Sequence, residues 1–227
     1  MAFIVKNVLG KPTGKVGDIV FRYVNRKVIF YAHIGSNKIS NSEACVNNRA
    51  NFSSVLRFAS TVNRIPELKQ IWSNSEFSGE NAYRKIISAN LKLIAPQFVS
   101  PNNFIVPDGF SINTEDWSLS KNSLALTFTL PKESRKYSGK TFTAIFILAF
   151  SNPVSKESKP NSFYACTVNI VSPQIDEPFK VSADISVVGK GVIKSYRKIV
   201  AFFTIVEQGK VKPAYAKSCA HDFSTAG

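Results

Sequence analysis

The residues in this chain able to do chemistry are sparse and poorly spaced for it. The sharpest nucleotide-like signal is Gly14-Lys15, with Gly10 before it and Val16-Gly17 after it. A phosphate-cradling P-loop needs Gly-Lys-Ser/Thr at the mouth of a helix, so that backbone N–H groups and the lysine surround the phosphates. Here the lysine leads into a β-prone run, and the segment reads as a connector or binding arm. Nucleophilic catalysis has no Gly-x-Ser-x-Gly elbow to start from. Its imidazole would be His33, which continues a strand, or His221, which lies in a small-residue tail read as exposed. Glu115-Asp116 and Asp176-Glu177 are neighbours within turn-like segments. They read as loop charges rather than as a general acid and base. Cys45, Cys166 and Cys219 are odd in number, widely spaced and without a CxxC pattern, so neither a disulfide framework nor a zinc site is expected. The expectation is a non-enzymatic protein with no cofactor and no metal.

Charge is the feature that points to a partner. The formal net charge is +14. Residues 1–95 hold 14 Lys/Arg against 5 Asp/Glu, and residues 96–227 hold 15 against 10. The first 42 residues carry one acid, Asp18. Such a field attracts polyanions: nucleic acid, an anionic surface or an acidic patch on another subunit. The plain alternative is a solubilising surface. Lys11, Lys15, Arg22, Arg26 and Lys27 on the arm and hairpin, with Arg49, Arg57 and Arg64 on one face of a helix, are the candidate polyanion-binding residues. Lys190, Lys194, Arg197 and Lys198 form a second basic strip.

These residues must be positioned by elements that the sequence also announces. Residues 5–17 read as a glycine-punctuated arm. Asp18–Tyr23 and Val28–His33 read as the strands of a hairpin turning at Asn25-Arg26-Lys27. Ser40-Asn41-Ser42-Glu43 has the pattern of a capping box. It is followed by Phe52, Val55, Leu56, Ala59 and Val62 at the spacing of one helix face. Pro66 suits the first turn of a second helix, Pro66 to Trp72. A third begins near Ser78 or Gly79, carries a stripe over Tyr83, Ile86, Ile87, Asn90, Leu91 and Ile94, and ends at Pro96. Beyond residue 97 the period becomes alternating. Strands are expected near Phe104–Val106, Ser111–Asn113, Ser123–Leu130, Thr141–Phe150, Ser162–Ile170, Phe179–Val187, Ser195–Val206 and Val211–Lys217.

The fold class is therefore α+β: an N-terminal β-ribbon and three-helix module followed by an antiparallel β-sandwich of immunoglobulin-like type. The modules are expected at residues 1–39, 40–96 and 97–227, with a linker over Ala95 to Pro107. No secretory signal or transmembrane segment is read, so the chain is expected to be cytoplasmic on synthesis, with a virion or extracellular assembly as a later destination.

One set of residues adds a resemblance. The run Gly10-Lys11, Gly14-Lys15-Val16-Gly17-Asp18-Ile19-Val20-Phe21, the Arg/Lys hairpin and Arg49-x-x-Phe52 resemble the opening of an uncharacterised bacterial domain family. Its members have a Gly-x-x-Gly-x-x-Gly arm and β-ribbon, then a helical segment and an immunoglobulin-like β domain. Asn81-Ala82-Tyr83, Trp117 and Ser162-Phe163-Tyr164 are similar to the same plan. The resemblance spans residues 8 to 170, leaves 171–227 unmatched, and implies an architecture with no established activity.

The functional expectation is a structural or assembly protein that contacts copies of itself in a virion-like particle or filament. Val20, Phe21, Tyr23, Ile29 and Phe30 are the candidate assembly contacts, because an apolar ribbon needs a sheet edge or groove to cover it. The alternative is a nucleic-acid-binding protein using the basic N-terminal module, with Tyr23, Phe30 and Tyr31 as stacking platforms. A peripheral adaptor on an anionic membrane is the third reading, and no basic amphipathic helix with an aromatic face supports it.

Overall fold

The structure is a computed structural model and describes residues 2–4, 13–24, 26–32, 40–95, 98–137, 139–155, 161–171, 173–188 and 190–223. It is α+β, in two compact units, Met1–Ser42 and Glu43–Gly227. The boundary placed at residue 97 falls inside the second unit, whose helices share a core with the larger of its two sheets.

The first unit is a four-stranded antiparallel sheet rather than a lone hairpin. Its strands are β1 (Ala2–Ile4), β2 (Gly14–Val16), β3 (Ile19–Val24) and β4 (Lys27–Ala32), in the order β1-β4-β3-β2. Gly17, at φ 58°, turns β2 into β3, a left-handed conformation that favours glycine. The expected glycine-rich arm thus contributes an edge strand. Val24 pairs with Lys27 across the next turn, so Lys27 belongs to the strand, and Arg26 takes the left-handed turn position at φ 63°.

The second unit contains α1 (Glu43–Arg64), α2 (Pro66–Ser73), α3 (Ala82–Asn90), β5 (Asn113–Leu119), β6 (Ser123–Thr129), β7 (Thr141–Pro153), β8 (Asn161–Val171), β9 (Phe179–Asp184), α4 (Lys190–Lys194), β10 (Tyr196–Glu207) and β11 (Cys219–Asp222). Pro66 opens α2 behind an extended Ile65. Asn81 caps α3 by accepting from the Arg84 N–H at 3.0 Å.

Strands β11-β10-β7-β8 form one antiparallel sheet and β5-β6-β9 another. The near-continuous apolar run of β7 follows from its place between two cores, since a strand covered on both faces has no polar side to alternate with. Phe142, Ala144, Phe146, Leu148 and Phe150 meet Leu124, Leu126 and Phe128 of the smaller sheet. Ile145, Ile147 and Ala149, on the other face, meet Phe58, Val62, Leu68 and Trp72 of the helices. Strand β10 divides the same way, with Phe203 in the first core and Phe202 in the second.

The segment expected to be a linker is anchored instead, over Phe98 to Val106. Val99, Ile105 and Val106 are buried, and the buried Trp72 donates its indole N–H to the Ile105 carbonyl at 2.8 Å. Asn90 is buried as well. Its Nδ2 donates to the Phe104 carbonyl at 3.2 Å, and its Oδ1 accepts from the Phe104 N–H at 3.0 Å and from Asn103 Nδ2 at 3.1 Å. A polar side chain on an apolar stripe thus supplies the partners that an irregular buried segment needs.

Other boundaries shift for identifiable reasons. Phe104 and Ile105 are bonded to side chains and 104–106 is not a strand, and the strand expected at 111–113 becomes β5, running on to Leu119 through a register shift between Glu115 and Ser118. Glu115-Asp116 thus lie on a bulged strand, with Asp116 at φ 41°, rather than in a loop. The last strand is Cys219–Asp222, not Val211–Lys217, of which Tyr215 and Ala216 make isolated bridges. On α1 it is Phe58 that enters the core, while Phe52 stays 47% exposed. The third helix begins at Ala82 and gives way to a 3-10 turn, Leu91–Leu93, before Pro96 is reached.

Candidate polyanion and assembly surfaces

In an antiparallel pair, residues directly opposite one another share a face of the sheet. Lys15 lies opposite Val20, Arg22 opposite Ile29, and Lys27 opposite Val24. Alternation then collects Lys15, Val20, Arg22, Val24, Lys27, Ile29 and Tyr31 on one face of the N-terminal sheet. The opposite face carries Val16, Ile19, Phe21, Tyr23, Val28, Phe30 and Ala32. The five expected assembly contacts are thereby divided: Val20 and Ile29 sit among the basic residues, and Phe21, Tyr23 and Phe30 lie on the apolar side. No single flat contact engages all five. Among the expected stacking platforms, Tyr31 parts company with Tyr23 and Phe30.

Among the described side chains of the unit, Val28 alone is buried. Phe21 and Phe30 pair across strands with ring centroids 6.2 Å apart. Around them Val16 is 68% exposed, and Ile19, Tyr23, Val24 and Tyr31 are exposed too. Lys15, Arg22, Arg26 and Lys27 are all exposed; Lys11 lies outside the described residues.

The three arginines of α1 occupy the helix's exposed side. At about 100° per residue Arg57 and Arg64 share nearly one azimuth, and Arg49 is rotated from Arg57 by about 80°. Arg57 and Arg64 line a groove of about 380 Å³ with Ser60, Thr61, Asn161, Ser162 and Phe163. Arg57 Nη1 donates to the Asn161 carbonyl at 3.2 Å. Asn161 is itself buried and donates from Nδ2 to Ser54 Oγ at 2.7 Å, while Ser54 Oγ donates to the Ala50 carbonyl at 2.9 Å. Helix α1 and the start of β8 are thus fixed to each other where the guanidinium groups emerge. Arg49 does not line this groove.

The second basic strip divides. Lys194 and Arg197 border a groove of about 670 Å³ with Lys121, Leu119, Ile193, Tyr196, Ile199 and Phe223. Lys198 is engaged by Asp222 at 3.8 Å and lies over the Phe98 ring. The side chain of Lys190 falls outside the described residues.

The residues weighed for catalysis take other positions. His33 is outside the described residues. His221 is not in an exposed tail but on β11, stacked on Trp117 with centroids 5.6 Å apart and 4.6 Å from Phe223. Burial raises the Cys166 thiol to about 11 and moves Cys219 in the same direction. Among the described residues no three His, Cys, Asp or Glu side chains are grouped to hold a metal ion, and no helix is long and apolar enough to cross a membrane.

Sequence reasoning missed Asn161, Ser162 and Phe163 as neighbours of Arg57 and Arg64. About a hundred positions separate them, and no local pattern announces the pairing.

No protein family matches this chain, and no curated protein matches it. Solved structures give faint likenesses. A protein from Arabidopsis thaliana, solved in solution, has a TM-score of 0.27 at 9% identity over 52% of this chain and 82% of that one. Beta-glucosidase 3B from Thermotoga neapolitana, solved with glucose, has a TM-score of 0.20 at 11% identity. The likeness covers 51% of this chain and 17% of the glucosidase. A beta-glucosidase from Kluyveromyces marxianus has a TM-score of 0.22 at 13% identity, over 59% of this chain and 16% of that one. Likenesses of this size carry no argument about activity.

Proposed function

We propose that this chain is a non-enzymatic structural protein that builds a homo-oligomeric assembly, a virion-like particle or a filament, through its N-terminal sheet. The observation that carries the reading is the sheet's uncovered apolar surface, with Val16, Ile19, Tyr23, Val24 and Tyr31 exposed and only Val28 buried among the described side chains. A small sheet gains stability by burying a face, at about 1.5–3 kcal/mol for each large side chain fully covered. Copies of the same sheet supply such a cover, and the edge strands β1 and β2 offer main-chain groups for strand addition. The two sheets of the second unit, packed about one core, are read as an antiparallel sandwich of immunoglobulin-like type. The resemblance of the Gly10 to Phe21 run to the uncharacterised bacterial family agrees with that architecture.

Light scattering after size exclusion tests the reading. The full chain is expected to elute as a large assembly at low and at high salt. Ile19→Lys with Tyr23→Lys, both at exposed positions, should reduce it to small species that remain folded. A wild-type monomer at all concentrations, or unchanged assembly by the double variant, overturns it. These substitutions are cleaner than deleting residues 1–17, which also strips β4 and β3 of their outer partners.

A second reading, polyanion binding, is favoured by the convergence of Lys15, Arg22 and Lys27 on one face. Its signature is a complex with nucleic acid that weakens steeply with salt, because counterion release scales with the phosphates neutralised. A salt-insensitive complex removes it.

A further inference from the structure

We infer that the groove between α1 and the start of β8 is a discrete binding site for a phosphoryl oxyanion, with Arg57 and Arg64 as its principal ligands. Three observations carry the inference. The first is the donor set. Two guanidinium groups and the hydroxyls of Ser60, Thr61 and Ser162 line one groove of about 380 Å³, and no carboxylate is among its described lining residues. Guanidinium presents a planar fork of N–H groups that matches two oxygens of a phosphate, and such charge-assisted bonds are about twice as strong as neutral ones.

The second is preorganisation. The Asn161 carbonyl accepts from Arg57 Nη1, and Asn161 is buried and tied through Ser54 to the backbone of α1. That bond uses one of the five donors of Arg57 and orients the rest. Thr61 Oγ1 donates to the Arg57 carbonyl at 3.1 Å, which engages the Thr61 proton and leaves the lining hydroxyls of Ser60 and Ser162 as the neutral donors. The third is charge balance. The ion pairs of the described residues involve Arg84, Lys132, Lys140, Lys198 and Lys217, and neither Arg57 nor Arg64 is among them. The two arginines are seven positions apart, so they stand on one side of the helix about 10 Å apart along its axis. Their long side chains can reach one tetrahedral anion between them.

The site's volume and its half-exposed Phe163 admit a phosphate carried on a larger body, either a monoester such as a mononucleotide or the diester of a nucleic-acid strand. The shared chemistry is the phosphoryl oxyanion. The inference does not depend on the N-terminal sheet, because the described lining residues all lie in the second unit.

The test is equilibrium dialysis of labelled inorganic phosphate against the full chain at fixed ionic strength, a measurement indifferent to assembly size. Saturable binding of one phosphate per chain is expected, with chloride unable to compete. Arg64→Glu should weaken it at least tenfold, and Arg57→Lys, which keeps charge but loses the fork, several-fold. Ser162→Ala should weaken it with no change in charge. Arg49→Glu makes the same charge change outside the groove and should alter affinity less than twofold. Thermal unfolding shows that each variant is folded. Competition by a mononucleotide against that by hexathymidylate then names the source, according to which displaces the label at lower concentration. Absence of saturation, or equal losses in Arg49→Glu and Arg64→Glu, overturns the site and leaves only the general field of a basic protein.

Discussion

Replacing Asn90 by alanine should release the segment from Phe98 to Val106 and destabilise the second unit by about 2–3 kcal/mol. Asn90 is fully buried and bonds both the N–H and the carbonyl of Phe104, at 3.0 and 3.2 Å. Truncation leaves both backbone groups without that partner, at about 1–3 kcal/mol for each buried group left unsatisfied. Phe104 is half-buried, so water restores part of the loss and each group costs about 1–1.5 kcal/mol, the low end of that range. Asn103 Nδ2 keeps one partner, the Asn90 carbonyl at 3.1 Å. For a unit of this size the loss corresponds to a fall of about 4–12 °C in unfolding temperature. Urea unfolding followed by tryptophan fluorescence is the assay. Trp72 donates to Ile105 and stacks 6.0 Å from Phe104, so it reports directly on the segment. Limited proteolysis adds a local readout: cleavage between 98 and 106 should be slow in the wild type and fast in Asn90→Ala. A double-mutant cycle with Asn103→Ala should show coupling, since the two side chains bond each other. A cost under about 0.5 kcal/mol, within the range of an ordinary surface substitution, together with unchanged cleavage would refute the anchoring argument and return this segment to the status of a linker.

Gly109→Ala should lower the unfolding temperature markedly, because Gly109 sits at φ 140° and an added Cβ would lie 2.5 Å from the Tyr215 carbonyl oxygen; thermal melting with no change would contradict the close approach. Lys140→Ala should destabilise at pH 7, where its ammonium holds the largely buried Glu207 carboxyl below the usual carboxylate range through a contact of 2.9 Å. Because that folded value is depressed, the contribution is present above the unfolded value and fades as pH falls through the folded one, so denaturation curves of the two proteins should draw together as pH falls below the ordinary glutamate range. Cys166 should react slowly with thiol reagents at pH 8, and stability should fall as pH rises from about 9 towards 11, since the unfolded chain loses this proton before the folded chain does. Rapid labelling at pH 8 would show that the thiol is not buried.

The sequence by itself determined the class of elements, because periodicity is local physics. The run Thr143 to Phe150 is apolar at every position but the first, and the same composition makes it a strand covered on both faces. Pro66 marks the start of α2 because its missing N–H is harmless there. The β-prone composition of Ser162 to Ile170 and Ser195 to Val206 located β8 and β10 within a residue or two. The N-terminal basic residues were also legible as a set, since charge is a property of composition. What covers what was not legible. Whether the helices form their own module or lie on the sheet depends on which face of β7 they meet, and both faces read alike. Asn90 looked like one more position on a helical stripe until its four bonds with Ile86, Asn103 and Phe104 gave the following segment its buried place. The tertiary structure also brought Asn161 and Ser162 to Arg57 and Arg64. Pairings of this kind are fixed by the register and packing of distant segments, and no window of neighbouring residues contains them.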